Sequence, residues 1–168
     1  MAATIEIHEM SALATGTDKT AGTVRFKDAD DATVDTNNPL VIPGSGDVYS
    51  YTKKVRAYME DAPSTKVENL RWYPDAANGF GTGISVKAKN IGTTWGANYK
   101  TAMSGGASLW TYSSGSPLDG DGVDTSPFLP AKLDSYIGDL IELQMTVHDD
   151  AAQGALTPET LTLAYDEI

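Results

Sequence analysis

Two alternating apolar runs close this 168-residue chain, and they constrain its fold more than any other feature. In SYIGDLIELQMTVHD, Ile137, Ile141, Leu143, Met145 and Val147 share one face, while Tyr136, Glu142, Gln144, Thr146 and His148 share the other. In TLTLAYDEI, Leu161, Leu163 and Tyr165 oppose Thr160, Thr162 and Ala164. A period of two is the signature of a β-strand with one face on a core. Glu142 and the nearby Asp149, Asp150 and Glu159 make the other face of this pair read as solvent-facing. The regular positions hold packing residues and nothing that resembles a catalytic set. Pattern alone gives a β domain and names no activity.

Shorter runs repeat the alternation. Thr4 to Glu9 sets Ile5 and Ile7 on one side, and Thr23 to Lys27 sets Val24 and Phe26 against Thr23, Arg25 and Lys27. From Val48 to Glu60, Tyr49, Tyr51, Val55, Ala57 and Met59 oppose Ser50, Thr52, Lys54, Arg56 and Tyr58. Lys66 to Tyr73 offers Leu70 and Trp72 against Val67, Asn69, Arg71 and Tyr73, and Thr82 to Lys89 offers Ile84, Val86 and Ala88. No window sustains apolar residues at i, i+3, i+4 and i+7, so long helices are not expected; a short helical turn near Pro130 to Ser135 is the best candidate. Seven or eight short strands between Gly/Pro turns predict an all-β fold, an antiparallel β-sandwich or jelly roll, forming one domain over residues 1–168. Residues 1–20 read as an N-terminal arm.

Residues 90–131 have little alternation yet hold Trp95, Tyr99, Trp110, Tyr112 and Phe128 among Gly, Ser and Pro. They read as one long irregular insertion, since loops of this length are ordinarily functional or ordered by contacts. Either the insertion folds over one end of the sandwich and buries its own aromatics, or it presents them to another subunit, a partner or a sugar.

The charge is uneven. Residues 1–100 carry 11 basic and 12 acidic side chains, whereas residues 101–168 carry Lys132 alone against 11 acids. Nucleic-acid binding needs clustered Lys and Arg, so no nucleic-acid partner is expected. The absence of cysteine excludes disulfides and thiolate metal sites. No apolar run approaches the roughly 18 residues of a membrane-spanning helix, and MAATIEIHEM lacks the features of a signal peptide.

Two acidic loops are candidates for Ca2+, which favours flexible oxygen-rich turns. One is DGDGVD with Asp119, Asp121 and Asp124; the other is DADDATVD with Asp28, Asp30, Asp31 and Asp35. Neither follows the EF-hand pattern, so a solvated turn is the ordinary reading of both. His8 and His148 are the only histidines, too few for a three-His zinc centre, and they read as surface or cross-strand hydrogen-bonding groups. Glycine-rich GSG at 44–46 and GFGTG at 79–83 do not lead from a strand into a helix, so they do not read as phosphate cradles. No enzyme activity and no cofactor are expected.

Three segments carry a resemblance: NNPLVIPGSGDVYSYTKKVRAYM at 37–59, NLRWYPDAANGFGTGISVKAK at 69–89, and the closing GDLIELQMTVHDDAAQGALTPETLTLAYDEI. Together they resemble small β-sandwich structural proteins of tailed-bacteriophage virions, those that decorate or cement the capsid or sit near the head-tail junction. The resemblance implies a virion protein assembled in the host cytoplasm, bound to the major capsid protein or other virion proteins. It also implies a homo-oligomer such as a trimer. The expected contacts are Ile5 and Ile7 in the arm and Trp95, Tyr99, Trp110, Tyr112 and Phe128 in the insertion. The alternative is a carbohydrate-binding β-sandwich that uses Trp95, Trp110 or Tyr112 as stacking platforms.

Overall fold

The structure is a computed structural model in which residues 2–75 and 77–168 are described. It is all-β, built from two antiparallel sheets. The larger runs in the order β2 (Thr15–Asp18), β1 (Thr4–Ala12), β4 (Lys53–Asp61), β9 (Ser135–His148), β6 (Ile84–Asn90) and β7 (Ala107–Ser108), with β3 (Asp47–Tyr49) also on β9. The smaller sheet is β10 (Leu161–Glu167), β5 (Val67–Pro74) and β8 (Leu118–Asp119). Pro130–Lys132 forms a single 3-10 turn where a short helical turn was expected.

The core lies between the sheets. Val55, Ala57 and Met59 of β4, Ile84, Val86 and Ala88 of β6, and Ile137, Ile141, Leu143, Met145 and Val147 of β9 meet Val67, Leu70 and Trp72 of β5. Leu161, Leu163 and Tyr165 pack against this layer, as their alternation predicts. Each fully buried aliphatic side chain here contributes about 1.5–3 kcal/mol.

Departures from simple alternation have local causes. The run from Val48 to Glu60 is one antiparallel track along β9, but its ladder is interrupted at Ser50–Thr52, where the Ser50 hydroxyl takes the acceptor role from a backbone carbonyl. Ser50 N donates to Met145 O at 2.9 Å, and Met145 N donates to Ser50 Oγ at 3.1 Å. Alternation puts Val67 on the polar side of its strand, yet it is fully buried. Asn69, at φ 56°, turns the strand over between Val67 and Leu70 and so puts both on the core side. Thr23 to Lys27 forms no strand and belongs to neither sheet; Val24 and Phe26 still pack on the core.

In β9, Ala57 faces Ile137 while Val55 faces Ile141, so Gly138, Asp139 and Leu140 together oppose Arg56. This wide bulge requires glycine at 138. Its φ is +66°, and an added Cβ would meet Gly120 O at 2.5 Å and Leu70 Cδ1 at 2.4 Å. The bulge swings Asp139 inward, where the 119–124 loop closes on it.

The N-terminal segment is not an arm. β1 is an interior strand, paired with β4 from Thr4 to Glu9 and with β2 through the turn at Leu13–Ala14. Ile5 and Ile7 are directed at the core because they share a face with Val55, Ala57 and Met59, their register partners' side of β4. Residues 90–131 are also tied in: β7 pairs with β6, β8 pairs with β5, and Val67 and Phe128 exchange backbone hydrogen bonds of 2.9 and 2.7 Å.

Candidate functional site

The middle of the polar face of β9 does not face solvent. Asp139, Glu142 and Gln144 are 1–3% exposed, and on β4 Lys54 is 1% exposed and Arg56 7%. Lys54 and Glu142 are cross-strand register partners with Nζ and Oε1 3.2 Å apart, while Glu142 Oε2 takes Lys89 Nζ at 3.0 Å and the Tyr99 hydroxyl at 2.9 Å. The strap from Trp95 to Met103 lies over this layer. Gln144 Nε2 donates to Thr101 O, Met103 N donates to Gln144 Oε1, Thr52 N donates to Tyr99 O, and Lys54 Nζ sits 5.1 Å from the Trp95 ring centroid. Burial, with Glu142 beside it, pushes the Tyr99 hydroxyl above its ordinary pKa, so it stays a donor.

Further along the same face, an open groove of about 640 Å³ is lined by His8, Leu13, Arg56, Tyr58, Asp134 and Tyr136. His8 stacks on Tyr58 with ring centroids 4.6 Å apart and meets Tyr136 edge-on at 5.5 Å. Its Nε2 lies 2.8 Å from Glu6 Oε2 and its Nδ1 3.2 Å from the Tyr136 hydroxyl. The sequence places His8 among cross-strand hydrogen-bonding groups but does not show these aromatic neighbours, because Tyr58 and Tyr136 come from β4 and β9, whose register with β1 only the folded sheet sets.

The two acidic loops spend their carboxylates on protein donors. Asp124 Oδ2 holds Arg56 Nη2 at 3.0 Å, Asp119 Oδ1 accepts from Asp121 N at 2.9 Å, and Asp121 Oδ2 accepts from Leu70 N at 3.4 Å. Burial pushes the Asp121 carboxyl up, and the adjacent Asp119 adds to this. Asp139 anchors the loop by accepting from Val123 N (2.9 Å), Asp124 N (2.7 Å) and Asn90 Nδ2 (2.7 Å). In the other loop Lys27, 1% exposed, is gripped by Asp31 at 2.6 Å and Asp35 at 3.3 Å. Asp30 accepts from Asn98 Nδ2, and Asp28 pairs with Lys100.

The hydrogen bond from Lys27 holds the Asp31 carboxyl down to about 2. A carboxyl depressed in the folded state stabilises above its unfolded pKa of about 3.9, and this stabilisation is lost as pH falls through the folded value. The melting temperature should therefore decline between about pH 4 and pH 2, and Asp31→Asn should flatten that limb relative to the parent chain. Thermal scans across this range check it.

The aromatic candidates divide. Phe128 is 1% exposed and is a core residue, because its β-bridge to Val67 draws the ring between the sheets; the expected partner contact at Phe128 does not hold. Ile5 and Ile7 are likewise spent on packing. Trp95, Tyr99, Trp110 and Tyr112 are half-buried. Trp110 meets Phe80 edge-on at 5.7 Å, and its buried Nε1 has no hydrogen-bond partner. Lys54 lies over one face of the Trp95 ring, and Phe80 packs edge-on to Trp110.

Comparison with family models, curated proteins and solved structures gives no match to this chain. The fold itself defines a class: an all-β protein of two antiparallel sheets, with an apolar core on one face of the larger sheet and a covered ionic layer on the other.

Proposed function

We propose that this protein is a non-enzymatic structural component of a bacteriophage virion, a decoration or cement protein that binds the head shell or neck as a homo-oligomer. The observation that carries the reading is how completely the interior is committed. Around β4 and β9 the larger sheet is covered on both faces apart from the groove beside His8, its buried carboxylates are ion-paired or hydrogen-bonded, and what is left outward is suited to contact with neighbours. β10 is a half-exposed edge strand, paired with β5 on one side, and an edge of this kind can accept a strand from another chain. Val34, Val41, Leu129 and Leu133 are large apolar side chains exposed by 45–68%. These four replace Ile5, Ile7 and Phe128 as the residues proposed for subunit contact. Assembly takes place in the host cytoplasm, with the major capsid protein as partner.

Cosedimentation with empty capsid shells tests the proposal. Saturable pelleting is the expected result, weakened by Val41→Asp and Leu129→Asp. Protein that stays in the supernatant at every shell concentration contradicts it.

A further inference from the structure

We propose that Glu6, His8 and Asp18 form a binding site for a borderline divalent transition cation of the Zn2+ type. Among the described residues, this is the one group of three His or acidic side chains whose ligand atoms all lie within 4.8 Å of one another. Strand geometry builds it. Glu6 and His8 alternate onto the same face of β1, and Asp18 is the register partner of His8 on β2.

The site is oriented as well as assembled. His8 is 9% exposed and its ring is held by stacking on Tyr58, while its Nδ1 faces the Tyr136 hydroxyl and leaves Nε2 directed at the carboxylates. A second-sphere hydrogen bond on the far nitrogen of a ligating imidazole fixes both ring orientation and tautomer. Asp18 Oδ1 accepts from Thr20 N at 2.7 Å, which positions that carboxylate. The nearby cations are engaged elsewhere: Arg56 is bound to Gly138 O and Asp124, and Lys19 lies 3.7 Å from Glu9.

The donor set chooses the cation. One imidazole nitrogen with two carboxylates suits Zn2+ and its neighbours, whereas Ca2+ and Mg2+ take oxygen ligands. Two ligands about 2.0–2.1 Å from a tetrahedral ion stand about 3.3 Å apart, so widening the 2.8 Å His8–Glu6 contact by about half an ångström admits the ion. His8 also lines the open groove, from which water can complete the coordination.

Calorimetric titration of the full chain with ZnCl2, paired with the visible absorption of a Co2+ complex, tests the site. One ion per chain is expected, with Co2+ showing the strong bands of tetrahedral coordination. His8→Gln and Asp18→Asn should each weaken binding at least about tenfold, and Tyr136→Phe by about tenfold, with circular dichroism unchanged. Asp18 lies on the exposed edge strand, so Asp18→Asn keeps the test valid should His8→Gln fail to fold. Absence of heat, or affinity in Asp18→Asn equal to that of the parent chain, overturns the proposal.

Discussion

Glu142→Ala is expected to destabilise the protein by about 3–5 kcal/mol, because it removes one member of a buried ion pair and leaves the other uncompensated. Lys54, with a side chain 1% exposed, would keep Asn98 Oδ1 at 2.6 Å and the Trp95 ring as partners but lose its counter-charge. Tyr99 and Lys89 would lose the same acceptor. Urea unfolding reads the loss as a lower midpoint at unchanged slope. Desolvation of both charges costs nearly what their attraction returns, so a Lys54→Met/Glu142→Leu double variant should be far more stable than the sum of its single changes implies. Strict additivity would mean that the two side chains do not share a dry environment.

Asp139→Ala is the second large effect, at about 3–5 kcal/mol, which lowers Tm by about 10 °C in a chain of this size. The carboxylate is 1% exposed and accepts from Val123 N, Asp124 N and Asn90 Nδ2; without it, the two backbone donors lose that acceptor and Asn90 Nδ2 keeps only Asp119 O at 2.8 Å. Asp139→Asn should fare little better, since an amide offers one acceptor oxygen where two are used. The consequence reaches the groove. With the 119–124 loop released, Asp124 no longer holds Arg56, which donates to Gly138 O at 2.7 Å and lines the groove beside His8. Differential scanning calorimetry of the three chains measures the effect.

The β class and most strands are legible in the sequence because alternation reports which side chains leave water for an apolar layer. Ile137, Ile141, Leu143, Met145 and Val147 occupy that layer as their spacing indicates. Alternation does not report what covers the opposite face. Lys54, Glu142 and Gln144 read as solvent-facing because a polar side chain looks the same in sequence under water or under a strap of matched donors and acceptors. The one signal available was charge: Lys54 and Glu142 are opposite in sign and become register partners, but their pairing depends on a bulge that the sequence marks only by Gly138. The same limit explains Thr23 to Lys27, where Val24 and Phe26 pack on the core although the segment joins neither sheet. It also explains the cluster of Glu6, His8 and Asp18, since Asp18 joins the other two only through a turn within residues 1–20, which read as an arm.

The covered ionic face is the central claim, and lysine reactivity tests it most directly. Brief treatment of the native protein with an amine-reactive reagent, followed by peptide mass spectrometry, reports each ammonium group separately. Lys27, Lys53 and Lys54, each 1–2% exposed, should react only as fast as the whole molecule unfolds, while the exposed Lys87 and Lys132 react at once. Labelling of Lys54 at the rate of Lys132 would place the polar face of the sheet in water and contradict the account.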